Sequence, residues 1–81
     1  MNTDMVRVKV DEVVKKQLSL TTQDLLDVNA QFTMLGADVL DLIEIVMRVE
    51  ELFGLEISDE DAQDLTTVAH IVAYVASHKK D

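Results

Sequence analysis

The feature that most constrains this chain is the run from Asp38 to Phe53, bracketed by residues that start and stop a helix. Asp38 stands at an N-cap position with Asp41 three residues on, and both carboxylates suit the unpaired N–H groups and positive dipole end of a first turn. Gly54 closes the run at the C′ position, where a left-handed conformation is tolerated without a Cβ penalty. Between them Leu40, Ile43, Val46, Met47, Val49, Leu52 and Phe53 recur at helical spacing, while Glu44, Arg48 and Glu51 keep one side wet. So broad an apolar surface predicts a central helix touched on more than one side.

The remainder is matched to that helix in size. At 81 residues the chain is expected to form one domain, 1–81, with one small core and a stability of about 5 kcal/mol. It has no cysteine, which excludes disulfides and thiolate chemistry. No apolar run approaches the roughly 20 residues of a membrane span. The first residues lack the basic-then-apolar pattern of a secretory signal, so the expected setting is cytoplasmic, or an organelle matrix after loss of a targeting peptide.

Charge is distributed unevenly. Of the sixteen acidic side chains, twelve lie between residues 19 and 64, where Arg48 is the one basic residue. Such a field repels nucleic acid and anionic membrane and draws basic protein surfaces. Its plainer role is to keep a small domain soluble.

Before the central helix, Val6, Val8 and Val10 alternate like a strand, but Val6, Val10, Val13, Val14 and Leu18 continue as a helical face, which predicts a first helix over about 4–18 with Val8 either at the edge of that face or exposed. Residues 19–37 form a long connection, with Thr22 capping one turn through Leu26. Leu20, Leu25, Leu26, Val28, Phe32, Met34 and Leu35 supply enough apolar surface to make it a packed loop. After Gly54, Ser58 and Asp61 form a capping-box pattern for a short helix. Thr66 or Thr67 opens the last helix, where Val68, Ile71, Val72 and Val75 share a face, Ala69, Ala73 and Ala76 permit close approach, and Lys79 and Lys80 suit the C-terminal dipole. The predicted fold is all-α: an antiparallel-type bundle of three main helices and one short one.

At this point the central stretch resembles the acyl carrier protein family, whose hallmark is Gly-Ala-Asp-Ser-Leu-Asp at the start of the second helix and Glu-Glu-x-Phe at its end. This chain reads Gly36-Ala37-Asp38-Val39-Leu40-Asp41 and Glu50-Glu51-Leu52-Phe53. The likeness extends to Phe32, Glu56-Ile57-Ser58-Asp59 and Leu65-Thr66-Thr67-Val68. The resemblance implies an acyl-carrier bundle and a carrier role in fatty-acid or related acyl biosynthesis, without catalysis.

In that family the serine after the aspartate receives 4′-phosphopantetheine from coenzyme A. The matching residue here is Val39, whose isopropyl group has no hydroxyl to form the phosphodiester, so no cofactor is expected on this sequence. Leu42, Leu52 and Ser58 also depart from the family pattern. Ser58 is accounted for as a helix cap, and Ser19 and Ser77 lie in no matching motif.

By the same resemblance, the second helix docks on basic surfaces of acyl-synthesis enzymes or of phosphopantetheinyl transferase. The matching docking residues are Asp38, Leu40, Asp41, Leu42, Glu44, Met47, Glu50 and Glu51, with Val39, Leu40 and Leu42 forming an apolar patch. The same acidic groups serve equally as cap and solvated helix surface. Phe32, Ile43, Val46, Leu65 and Ile71 are the candidates for an acyl-sheltering interior, and are otherwise plain core. The acidic run Asp59, Glu60, Asp61 and Asp64 lacks calcium-loop spacing, and His70 and His78 lack partners for catalysis or zinc, so no metal site is assigned. A monomer is expected. The alternative is a carrier-like structural or regulatory interaction module that is never acylated.

Overall fold

A computed structural model describes residues 3–21 and 27–78. Helix α1 spans Thr3–Gln17, α2 Val39–Phe53, the short α3 Asp59–Ala62 and α4 Val68–His78, with a 3-10 turn over Phe32–Leu35. No strand is present among the described residues. Three main helices and one short one, with a long loop between the first two, give the expected all-α bundle. The turn expected over Thr22–Leu26 and the cationic pair Lys79 and Lys80 lie outside the described residues.

Each helix end has a local cause. Leu18 still bonds to Val14 (2.9 Å), after which Ser19 takes a left-handed φ of 58°, and Leu20 N–H reaches back to the Lys15 carbonyl at 2.8 Å. That is a Schellman-type stop built on a serine rather than glycine. Helix α2 starts with a full capping box: Asp38 Oδ1 accepts from Asp41 N–H (2.9 Å), and Asp41 Oδ2 accepts from Asp38 N–H (3.1 Å). It stops at Gly54, whose φ of 66° suits glycine. Thr67 settles the choice at the start of α4, since its Oγ1 accepts from His70 N–H at 3.1 Å.

The Ser58–Asp61 box is only half formed. Ser58 Oγ accepts from Asp61 N–H at 3.1 Å, whereas the Asp61 side chain turns away to accept from the Tyr74 hydroxyl at 2.9 Å. A tertiary bond to α4 has displaced the local one.

The core is a single cluster. Val6, Val10 and Val14 of α1 meet Ile45, Val49 and Phe53 of α2 and Val68, Ile71 and Val75 of α4, with Phe32, Ile57 and Leu65 filling from the connections. Helix α1 lies against both α4 and α2 and occupies the mechanical centre that the sequence assigned to α2. The broad apolar wrap expected on α2 also narrows. Its buried stripe is Ile45, Val49 and Phe53, an i, i+4, i+8 series that includes an isoleucine outside the expected set. Leu40, Ile43, Met47 and Leu52 are exposed, because the bundle covers α2 on one side only.

The long loop is packed where it is described. Phe32 is buried, and Val28 and Leu35 rest against the core, but Met34 is exposed. Backbone bonds from Phe32 N–H to the Thr66 carbonyl and from Ala69 N–H to the Val28 carbonyl, both 2.9 Å, fasten the loop to the start of α4. Asp27 adds an Asx turn, accepting from Asn29 N–H at 2.9 Å. Val8 is exposed, and Ala69, Ala73 and Ala76 line a recess against the start of α1 with Thr3, Asp4 and Arg7.

Candidate functional site

The first turn of α2 concentrates the features singled out in the sequence. The 3-10 turn ends at Gly36, whose φ of 97° reverses the chain, and Ala37 N–H donates to the Phe32 carbonyl at 3.0 Å. The buried Phe32 ring thus anchors the approach to Asp38. Val39 is the first residue of α2 and is 71% exposed, as is Leu40. Leu42 departs from the expected exposed patch: it is half-buried and packs against the core, because it lies one turn before Ile45 and Val46.

Two recesses flank α2. On one side a groove of about 330 Å³ runs between α2 and the segment carrying α3. Val39, Leu42, Ile43, Val46 and Met47 line its α2 wall, Ile57, Ala62 and Leu65 its other wall, and Glu50 and Asp59 put carboxylates on it. On the other side Glu51 and Leu52 face a polar cleft against α1 with Lys9, Lys16 and Arg48. Glu50 and Glu51, neighbours in sequence, therefore face different surfaces.

The five residues nominated as an acyl-sheltering interior divide. Ile43, Val46 and Leu65 line the groove, while Phe32 and Ile71 are buried in the core and do not. Ile57 and Ala62 were not nominated; the apolar Leu55-Glu56-Ile57 spacing was the available signal. Glu50 also holds the groove's shape, since its Oε2 accepts from Ile57 N–H at 2.9 Å. The Tyr74–Asp61 bond fixes α3 from the other side.

Asp38 and Glu44 are exposed, and Asp41 is half-buried. The side-chain amide of Gln17, at the end of α1, donates to Asp41 Oδ1 at 3.0 Å. That bond, with the Asp38 backbone bond second, holds the Asp41 carboxyl below the usual carboxylate range. The Val39 side chain presents only carbon and hydrogen, so it does not fit a phosphodiester-linked group.

Among the described residues no group of three or more metal-ligating side chains converges, and no helix is long and apolar enough to cross a membrane. His70 bonds locally to Thr66 (3.2 Å), and His78 stacks on Tyr74 with ring centroids 3.9 Å apart.

Residues 8–75 match the family model described as a phosphopantetheine attachment site. The chain is 52% identical over 60 residues to acyl carrier protein 5, chloroplastic, of Arabidopsis thaliana, covering 74% of this chain and 43% of the relative. It is 48% identical over 67 residues to acyl carrier protein 2, chloroplastic, of the same plant, covering 83% of this chain and 49% of that relative. The chain thus spans less than half the length of these relatives. With its capped acidic helix beside an apolar groove and residues 8–75 matched to the family model, the chain belongs to the acyl carrier protein family, whose members carry rather than catalyse.

Proposed function

We propose that this chain is a single carrier domain of fatty-acid or related acyl biosynthesis in which the attachment position is occupied by Val39, so that the chain as it stands remains without 4′-phosphopantetheine and acts through docking. The observation that carries this reading is Val39 itself, exposed at the first residue of α2 directly after the capping Asp38. The position is accessible to a transferase, yet it offers no oxygen to the phosphoryl group.

Docking uses the exposed side of α2. Asp38, Asp41 and Glu44 supply negative charge at its start and Glu50 and Glu51 near its end, with Leu40 and Met47 as apolar contacts and Leu42 contributing from the groove wall. The partners are proteins with basic surfaces, such as acyl-synthesis enzymes or phosphopantetheinyl transferase. Surface charge pairs of this kind steer encounter more than they hold a complex, so binding is weak and salt-sensitive. The domain works as a monomer. The chloroplastic names of its relatives favour an organelle matrix over the cytoplasm. A second reading, a carrier-like structural or regulatory module that is never acylated, is favoured by the same valine.

Incubating the protein and its Val39→Ser variant with coenzyme A and a phosphopantetheinyl transferase, then measuring intact mass, separates the readings. The expected result is no addition to the parent and one arm on the variant. An arm on the valine protein sinks the apo assignment, and an unmodified serine variant favours the interaction module.

A further inference from the structure

Asp41 and its neighbours differ in how much of each carboxylate is still available to a partner. An ionised carboxylate only accepts hydrogen bonds. Both Asp41 oxygens already do so, Oδ1 from Gln17 Nε2 at 3.0 Å and Oδ2 from Asp38 N–H at 3.1 Å. Asp38 is exposed and commits Oδ1 to Asp41 N–H at 2.9 Å. Glu44 is exposed and makes no side-chain hydrogen bond or ion pair among the described residues. The Gln17–Asp41 bond joins positions 24 apart in sequence, tying the end of α1 to the turn that carries Val39.

We propose that Gln17 is a positioning residue for the docking face: its amide locks Asp41 into the capping box, so that Asp41 orients the first turn of α2 while Glu44 and the exposed Asp38 receive the partner's cations. A bidentate guanidinium approaching Asp41 competes with the Gln17 amide and the Asp38 N–H already on its two oxygens, whereas at Glu44 it displaces water alone. Asp41 and Glu44, similar in charge and close in sequence, thereby take different jobs. The docking half of this inference rests on the carrier reading above; the positioning half rests on the bond itself.

Two measurements test it. In the parent chain, carboxyl NMR titration follows Asp41 in Gln17→Met, which keeps the length and removes the donor. The Asp41 carboxyl is expected to move up toward the ordinary carboxylate range, and Gln17→Lys, which restores a donor, is expected to bring it back down. An unchanged Asp41 titration in Gln17→Met overturns the positioning role.

In the Val39→Ser chain, transfer from coenzyme A by phosphopantetheinyl transferase reports docking. Gln17→Met is expected to raise KM roughly threefold to tenfold, the scale of one lost hydrogen bond, with kcat little changed and the salt dependence of kcat/KM preserved. Glu44→Gln is expected to flatten that salt dependence instead. A Gln17→Met variant with parental KM, or a salt dependence that Glu44→Gln leaves intact, overturns the division of roles. If the Val39→Ser chain with Gln17 in place takes no arm at all, the carrier reading falls and the docking half with it, while the titration still decides the positioning half.

Discussion

Ile43 and Ile45 offer the sharpest test of how α2 sits in the bundle. Two residues apart on a helix, they point to nearly opposite sides. Ile45 is fully buried in the core, whereas Ile43 is 50% exposed on the groove wall. Replacing Ile45 by alanine removes buried carbon and leaves a cavity, a change that costs about 2–5 kcal/mol in well-packed cores. In a domain whose total stability is about 5 kcal/mol, that is most of the margin. At roughly 4–8 °C per kcal/mol for a chain of this size, the melting temperature falls by at least about 8 °C, and at the upper end about half of the molecules are unfolded at room temperature. Ile43→Ala removes half-exposed surface and opens no enclosed void, so its cost is about 1 kcal/mol. Thermal and urea unfolding followed by helical circular dichroism measures both. Equal losses, or a larger loss for Ile43→Ala, refute the register of α2 and with it the assignment of Ile43 to the groove.

Asp11 leaves its Oδ1 buried without a hydrogen-bond partner, and burial raises its carboxyl above the usual value against the opposing pull of Arg7 and Lys15. A raised carboxyl means that ionised Asp11 weakens the fold above its folded pKa, and that the penalty is relieved as pH falls toward the ordinary aspartate value of 3.8. Asp11→Asn is therefore expected to melt higher than the parent at pH 7, with the gap closing in acid; a gap independent of pH contradicts the assignment. Burial first, then the bond to Asp61, then the charges of Asp61 and Glu50 raise the Tyr74 phenol. Its stabilisation is present below the ordinary tyrosine value of 10.0 and is lost as pH rises through the folded value. Ultraviolet titration is expected to show late ionisation of Tyr74, moved earlier by Asp61→Asn; no difference between the two chains removes the α3–α4 tie.

Much of the local structure was legible because its causes are local. Asp38 with Asp41, Gly54, Ser58 and Thr67 mark helix ends through side-chain and backbone geometry confined to a few residues, and each end lies where those residues place it. The valines of α1 could be read from their spacing alone, since Val6, Val10 and Val14 form one stripe facing one core. Helix α2 resisted the same treatment. Apolar residues occur around most of its surface, so periodicity could not say which of them meets a neighbour, and Ile45 was missed while Leu40 and Met47 were taken for packing residues.

Four helices, a packed loop, an acidic second helix and a valine without a hydroxyl directly after Asp38 could all be read from the chain, because each follows from residue chemistry or from spacing within one element. Tertiary structure alone decided that α1 rather than α2 is the centre, that Ile43, Val46 and Leu65 share a groove from which Phe32 and Ile71 are excluded, that Glu50 and Glu51 face different recesses, and that Asp61 bonds Tyr74 instead of closing its own box. It also brought Gln17 to Asp41. All of these depend on the direction in which one helix meets another, and contacts between residues distant in the chain leave no period or motif in either partner to announce them.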